Sequence, residues 1–237
     1  MKILVCVKII KGEINPFDAC ALEAALQMGG EVTVLSMCPP TAADVLRPLT
    51  RLGVKNVYLL SDSAYAGSDT LATSYILSLA AKKIGFDLIL CGRQTIDGDT
   101  AQVGPCLATK LGIGLVTNVL GLNIDSDTVS CETRLGSEST KLPALLTIER
   151  INTLRFPSIF SGLGEVTLWS NADVGADPRQ GNGHYHHIAE PRQNHGQATG
   201  HRLQRRARNA DKQISLAKKG RDFPPPSEHS YKCTPER

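Results

Sequence analysis

The sequence lacks several features that mark common protein classes. No apolar run reaches the roughly 18 residues that a membrane-spanning helix needs, so we expect no such helix. The seven cysteines form no C-x-x-C pair, and their odd number argues against a complete disulfide framework. Neither a Walker lysine motif nor a Gly-x-Gly-x-x-Gly fingerprint occurs. Because free cysteines persist in a reducing compartment, we expect a cytoplasmic protein.

Composition and charge limit the remaining classes. Hydrophobic residues make up 41% of the 237 positions, which excludes a wholly disordered chain. The net charge of +3 conceals two unlike regions: residues 1–177 contain 14 Lys and Arg against 18 Asp and Glu, whereas residues 178–237 contain 12 against 5 and all six histidines. We therefore predict a domain over residues 1–177 and a basic, irregular or disordered tail over 178–237.

The first half of the chain alternates between two patterns. Continuous apolar runs, typical of strands buried on both faces of a parallel sheet, occur at Ile3–Val7, Val32–Met37, Val54–Leu60 and Phe86–Cys91. Segments with helical spacing follow them, at about residues 16–28, 42–52, 70–83 and 100–110. Asn15 and Pro16 form a typical helix start, in which Asn15 would be the N-cap. These four repeats predict an α/β fold with a doubly wound, mostly parallel sheet.

After Gly112 the pattern changes. Three further strands are predicted, separated by turns at residues 125–127 and 136–139, and they are Leu115–Ile124, Thr128–Leu135 and Lys141–Glu149. They would add an antiparallel or mixed edge, a β-hairpin or meander, to the parallel body. Residues 151–170 are expected to be irregular.

One loop carries most of the chemical information. Residues 92–105, GRQTIDGDTAQVGP, follow an apolar strand and open a helix, whose free amides and dipole can bind phosphate. Gln94 and Gln102 can donate hydrogen bonds to a ligand, Arg93 adds positive charge, and Asp99 or Thr100 would cap the helix. A polar loop with ordinary caps is the alternative. Helix capping or ribose contacts suit Asp97 and Asp99 better than acid–base catalysis.

The same loop closely resembles the nucleotide loop of electron-transfer flavoprotein β subunits. Other segments match that family in order and spacing, so that the resemblance covers about residues 1–177; they are Ile3–Lys8, Asn15–Asp18 (NPFD), 61–73 and Leu142–Thr147 (LPALLT). The resemblance implies an adenine-nucleotide-binding, HUP-like sheet. It also implies an α subunit that carries a redox-active FAD, and a β subunit that binds AMP or, in bifurcating relatives with NADH as donor, a second FAD.

Site residues are carried over by position, and no catalytic residue or metal ligand is among them. The resemblance implies that the nucleotide contacts Cys6, Asn15, Pro16, Phe17, Asp18, Met37, Gln94, Thr95, Ile96, Asp97, Gly98, Asp99, Thr100, Ala101, Gln102, Val103 and Gly104.

The resemblance extends to the family's partner-recognition loop, which is similar to residues 151–159. It implies docking to an acyl-CoA dehydrogenase or another flavin dehydrogenase, through Leu154, Arg155, Phe156 and Ile159. The family's Asn-x-Pro-Arg-Tyr reads Asn-Thr-Leu-Arg-Phe here, and the usual lysine-rich helix is replaced by Phe160–Val166. A connection that merely covers the core is the alternative. After Asp177 the family's C-terminal arm is not recognisable, which suggests a divergent or frame-shifted tail.

Two other functions remain open at this point. A stand-alone adenine-nucleotide-binding module of the stress-protein type would share the sheet topology. A nucleic-acid-associated protein would use Arg202, Arg205, Arg206 and Arg208, but without interleaved aromatic residues a solvated tail is favoured and no specific nucleic acid is expected. His184, His186 and His187 lack further ligands at suitable spacing, so no metal site is expected there.

Overall fold

The computed structural model describes residues 1–177. The strands are β1 (Lys2–Cys6), β2 (Ile9–Ile10), β3 (Glu13–Ile14), β4 (Glu31–Met37), β5 (Asn56–Leu60), β6 (Leu88–Gly92), β7 (Gly114–Asp125), β8 (Thr128–Thr133), β9 (Gly136–Lys141), β10 (Ala144–Ile148) and β11 (Thr167–Trp169). The α-helices are α1 (Pro16–Met28), α2 (Ala43–Leu46), α3 (Thr70–Ile84), α4 (Val103–Leu111) and α5 (Asn171–Val174). Short 3-10 turns occupy Pro40–Ala42, Arg47–Leu52 and Ser63–Tyr65.

A nine-stranded sheet forms the centre of the domain. Its strand order is β11-β5-β4-β1-β6-β10-β7-β8-β9, and neighbouring strands are parallel from β11 through to β7. Strands β7, β8 and β9 form an antiparallel meander at the other edge. The predicted α/β class, with a doubly wound, mostly parallel sheet and an added edge, is therefore confirmed. The order reverses at β1, which lies between β4 and β6.

The apolar runs form strands because both sheet faces are covered. Val5 and Leu90 lie in the core cluster that α1 and α2 cover. Leu4 and Ile89 face the opposite cluster, which contains residues of α3 and α4. Continuous apolar sequence is what such doubly covered strands require.

Two predicted helices differ from the structure. The segment predicted as one helix over residues 42–52 is a 3-10 turn, then α2, then a second 3-10 turn, and Pro48 in that last turn has no N–H to donate. The helix predicted from Thr100 begins only at Val103, because Asp99 and Ala101 have φ values of 50° and 54°, in the left-handed region that an α-helix excludes.

The predicted strands after Gly112 also need correction. The last of them, β10, lies inside the parallel body between β6 and β7 and is not an edge strand. Residues 136–139, predicted as a turn, belong to strand β9, whose side chains are mostly exposed and therefore lack an apolar pattern. Residues 151–170, predicted as irregular, contain the short strand β11.

Among residues 1–177, no helix is both long and apolar enough to cross a membrane. The tail predicted over 178–237, with its histidine and arginine clusters, lies outside the described residues.

Candidate functional site

A cleft opens at the carboxyl ends of β1, β4 and β6, where the strand order reverses. It has a volume of about 410 Å³ and lies between the start of α3 and the segment that leads into α4. This is the edge at which doubly wound sheets bind their ligands. A separate groove of about 480 Å³ lies between α1, β7 and Ile151, and none of the predicted nucleotide residues lines it.

Many of the residues predicted to contact a nucleotide lie together in the cleft. Those that line it are Cys6, Asp18, Met37, Gln94, Thr95, Gly98, Thr100, Ala101, Gln102, Val103 and Gly104. The others, which do not line it, are Asn15, Pro16, Phe17, Ile96, Asp97 and Asp99. Nucleotide contact by any of these residues stays a prediction.

The sequence-based site residues leave out one wall of the cleft. That wall comes from β4 and the start of α3, and consists of Leu35, Tyr65, Gly67, Ser68, Asp69, Thr70, Thr73 and Leu77. The signal was present, because Ser68 and Asp69 precede a helix that starts after a strand, on the same sheet edge as the other loops. Asp69 is the N-cap of α3, accepting a hydrogen bond from the Ala72 amide at 2.8 Å.

Asn15 ties the loop after β6 to α1. As predicted, it is the N-cap of α1 and Pro16 opens the helix, but its side chain makes no capping hydrogen bond. Instead, its amide nitrogen donates to the Gln94 carbonyl at 2.9 Å, and its amide oxygen accepts from the Ile96 N–H at 3.4 Å. Because Asn15 is fully buried, these bonds hold the loop in place from behind.

Asp18 joins the ends of β1 and β6 beneath the cleft. Its two carboxyl oxygens accept hydrogen bonds from the backbone amides of Lys8, at 2.8 Å, and Gly92, at 3.0 Å. Burial raises the pKa of Asp18 to about 7, although the bonds from Lys8, Asn15 and Gly92 act in the opposite direction.

Two glycines allow close packing around this carboxylate and the helix start. A Cβ atom on Gly92 would lie 2.5 Å from Asp18 Oδ1 and 2.6 Å from Phe17 Cβ. A Cβ atom on Gly104 would lie 2.7 Å from Thr147 Cγ2 and 3.0 Å from Cys91 Sγ. Glycine is therefore required where the loop and α4 approach the neighbouring elements.

The start of α4 lines the cleft. Neither Asp99 nor Thr100 caps it, contrary to the prediction; the N-cap is Gln102, whose side chain makes no capping bond. Asp99 instead accepts a hydrogen bond from the Gln94 side chain. The first amides of α4, those of Val103 and Gly104, have no acceptor within the helix, and this end carries the positive pole of the dipole. The arrangement suits an anion.

The thiols of Cys6 and Cys91 line the cleft beside Asp18. Cys6 and Cys91 lie opposite each other on β1 and β6. Burial raises the pKa of Cys6 to about 12 and that of Cys91 well above its ordinary value, so both remain neutral thiols. Neutral thiols are poor nucleophiles, and beside Met37 they offer a flat ligand an apolar surface.

Two ion pairs flank the cleft. Lys8 Nζ lies 2.6 Å from Asp97 Oδ2, and Arg93 Nη1 lies 2.9 Å from Glu149 Oε1. The hydrogen bond from Lys8, helped by Thr95 and the Gly98 amide, lowers the pKa of Asp97 to about 2. Among the described residues that line the cleft, Lys8 and Arg93 are the cationic ones.

The loop after β10 combines anchored and exposed side chains. Arg155, predicted to dock a partner, contacts Glu23 of α1, with Nη2 2.7 Å from Oε1 and Nε 3.0 Å from Oε2. Leu154 packs against the core. In contrast, Phe156 is 96% exposed and Ile159 is 80% exposed. The structure adds Phe160, 94% exposed, and Leu163, 53% exposed, to this surface, which we call the loop patch: Phe156, Ile159, Phe160 and Leu163.

The Glu23–Arg155 pair predicts an acid dependence of stability. Hydrogen bonds from Arg155 lower the pKa of Glu23 from 4.5 to about 2. A carboxyl group whose pKa is lower in the folded state contributes stability above its ordinary pKa and loses it as the pH falls. Arg155→Met should therefore lower the urea midpoint at pH 6 and flatten its decline between pH 4.5 and 2.

A matched variant and its outcome test this assignment. Arg150→Met removes an exposed arginine from the same loop and should leave both the midpoint and its pH dependence unchanged. If the urea midpoint fell equally steeply with pH in Arg155→Met and in the unmodified chain, the Glu23–Arg155 pair would not hold the loop.

Comparison with known proteins places the chain in a family. Residues 3–171 match the electron transfer flavoprotein domain. "Protein FixA" of Azorhizobium caulinodans is 44% identical over 185 residues, which cover 69% of this chain and 66% of that protein. The "Electron transfer flavoprotein subunit beta" of Thermoanaerobacterium thermosaccharolyticum is 47% identical over 155 residues (62% and 60%), and that of Megasphaera elsdenii is 42% identical over 196 residues (67% and 73%).

The similarity covers about two thirds or less of the first two relatives' own length. The match to the family domain includes the cleft and the loop after β10. The match to the family domain extends over most of the described residues. The chain therefore belongs to the electron transfer flavoprotein β-subunit family.

Proposed function

We propose that this chain acts as the nucleotide-binding half of a heterodimeric electron carrier. Its cleft would hold AMP, or the AMP portion of a second FAD, and an α subunit would carry the redox-active FAD. The flavin supplies the electron chemistry when bound, accepting electrons from a dehydrogenase and passing them on. The role of this chain is to bind and position, and no group transfer by its own side chains is proposed.

One observation carries the proposal: the cleft at the reversal of the strand order combines an apolar floor with a helix start. Leu35, Met37 and Leu77 suit an adenine ring, while the amides that open α4 suit a phosphate. Thr95, Thr100 and Gln102 add donors between these two regions. The volume of about 410 Å³ lies within the range of small-molecule sites.

The loop patch favours a carrier over the alternative of a stand-alone nucleotide-binding module. Phe156 and Phe160 are almost fully exposed, which is unfavourable unless a partner covers them. We infer that they contact an acyl-CoA or other flavin dehydrogenase. One relative, 40% identical, is the "Caffeyl-CoA reductase-Etf complex subunit CarD" of Acetobacterium woodii, so at least one similar protein is named as part of a larger redox complex.

The setting of the proposed function is a reducing compartment such as the cytoplasm. The six cysteines among the described residues are all free thiols, and four of them, Cys6, Cys20, Cys91 and Cys131, are buried in the core. Free thiols in this number suit a compartment in which thiols stay reduced.

The experiment is co-expression with a candidate α subunit, followed by acid extraction and cofactor analysis. One FAD and one AMP per heterodimer would identify a simple carrier. Two FAD molecules would identify a type in which the second flavin occupies this chain, with NADH as a candidate donor. A heterodimer without nucleotide in this chain, or no heterodimer, would overturn the proposal.

Loss of donors in the cleft should release the nucleotide. Gln94→Ala and Thr100→Ala each remove a polar group that lines the cleft, and the loss of one hydrogen bond should weaken AMP binding roughly fivefold to tenfold. The measurement is AMP binding by titration calorimetry. The matched variants Gln27→Ala and Ser137→Ala, which lie outside the cleft, should bind as the unmodified chain does. Unchanged affinity in both cleft variants would refute these two contacts.

A further inference from the structure

The two cations of the cleft differ in how firmly they are held. Arg93 is paired with Glu149, whose side chain is only 7% exposed. A carboxylate buried to that extent is costly to leave without its partner. Arg93 also donates its backbone N–H to the Ile148 carbonyl at 2.9 Å. Arg93 is therefore fixed in its present position and is a poor candidate to move toward a ligand.

Lys8 is held much less firmly. Its side chain is 44% exposed and that of its partner Asp97 is 42% exposed, and exposed pairs of this kind contribute little to stability. The lysine side chain is long and flexible, so its ammonium group can change partners. Lys8 lines the cleft, whereas Asp97 does not.

Asp97 has other hydrogen-bond donors besides Lys8, so it can lose the lysine. Its Oδ1 atom accepts a hydrogen bond from the Gly98 N–H at 2.8 Å, and the Thr95 side chain donates a second bond to the carboxylate. These bonds remain when Lys8 leaves, so the exchange does not strand an unsolvated carboxylate. The exposure of Asp97 also allows water to replace the ammonium group.

We propose that Lys8 is shared between Asp97 and the phosphate of the bound adenine nucleotide, so that Asp97 is an internal competitor that lowers the affinity for the phosphate. The inference rests on the proposed function, because it assumes that the cleft takes an adenine nucleotide. Asp97 thereby tunes how strongly the chain prefers a nucleotide over the corresponding nucleoside.

The test compares AMP with adenosine on the full chain by titration calorimetry. Asp97→Asn keeps an acceptor for Gly98 and Thr95 but frees Lys8, so AMP should bind about threefold to fivefold tighter, as expected for the loss of an exposed ion pair. Lys8→Met should weaken AMP binding about tenfold, because a charged contact to phosphate is lost. Adenosine affinity should change less than about twofold in either variant, since it has no phosphate.

Two further variants make the result specific. In the double variant Lys8→Met/Asp97→Asn, the gain from Asp97→Asn should vanish, because no lysine remains to be released. Glu31→Gln breaks a comparable exposed pair, in which Lys55 Nζ lies 2.8 Å from Glu31 Oε2. Glu31 is the first residue of β4, at the end of that strand away from the cleft. This variant should leave AMP binding unchanged, which separates a local effect from the loss of one negative charge.

The outcomes separate the sharing of Lys8 from the nucleotide binding on which it rests. If the unmodified chain binds AMP and Asp97→Asn leaves the AMP-to-adenosine ratio unchanged or lowers it, the sharing of Lys8 is wrong while the nucleotide site stands. If the gain persists in the double variant, the effect does not pass through Lys8. Binding of neither AMP nor adenosine to the unmodified chain would overturn both proposals.

Discussion

Replacing Gly92 by alanine should lower the free energy of unfolding by about 1 to 3 kcal/mol, the range for a methyl group forced into packed surroundings. The added Cβ would lie 2.5 Å from Asp18 Oδ1 and 2.7 Å from the Asp18 backbone nitrogen. The second neighbour is backbone, which cannot rotate away. The loop must then shift, and the bond between the Gly92 amide and Asp18, 3.0 Å long, is strained or lost.

A second glycine in the same loop gives the matched control. A Cβ on Gly98 would meet only Thr95 Oγ1, at 3.5 Å, which is an ordinary contact. Gly98→Ala should therefore leave stability unchanged or slightly raised, because alanine restricts the unfolded chain. Urea unfolding of the two variants measures the difference. Equal unfolding free energies would mean that the end of β6 can relax and that Gly92 is not needed for close packing.

The position of the cleft could be predicted from the sequence because it depends on local patterns. Apolar runs such as Ile3–Val7 become strands of a doubly covered sheet, and the loops that follow them must then meet at one edge. The polar segment from Gln94 to Gly104 follows such a strand. Its place beside Cys6 and Met37 is therefore a consequence of topology. The identity of the ligand, in contrast, is suggested only by the family resemblance.

The contacts that hold the site could not be predicted, because they join residues far apart in the chain. Asn15 is the N-cap that the sequence predicts, but its side chain bonds the Gln94 carbonyl, 79 positions away, and not an amide of its own helix. The family resemblance implies that Arg155 docks a partner, which stays a prediction, and the structure adds a bond to Glu23, 132 positions away. For both residues, the contact within the domain is to a partner that no local pattern identifies.

The helix predicted from Thr100 begins later, at Val103, in a segment that also has distant contacts. Asp99 and Thr100 are ordinary capping residues, which made the earlier start plausible. Asp99 and Ala101 instead have left-handed conformations, in a loop that the bond between Gln94 and Asp99 and the side chain of Asn15 hold together. The later helix start leaves residues 100–102 in the cleft lining.

The loop patch should control electron transfer without affecting the fold. Phe156→Asp/Phe160→Asp places two charges on side chains that are 96% and 94% exposed, so the unfolding free energy and nucleotide content should not change. Exposed aromatic residues are typical anchors of protein interfaces, and losing one commonly costs about 2 kcal/mol or more of binding energy. The rate of flavin reduction by a dehydrogenase should then fall about thirtyfold or more at limiting protein concentration.

The measurement uses the proposed heterodimer, obtained by co-expression with an α subunit, and an acyl-CoA dehydrogenase that reduces the unmodified complex. The matched control is Leu135→Asp, because Leu135 is 97% exposed but lies at the turn between β8 and β9. It adds the same kind of charge to an equally exposed apolar side chain and should leave the rate unchanged. A double variant that accepts electrons as fast as the control would show that the dehydrogenase docks elsewhere. Because Arg155 and Leu154 anchor the loop while Phe156 and Phe160 project from it, loss of the rate with an intact fold would assign the two functions to different side chains of one short segment.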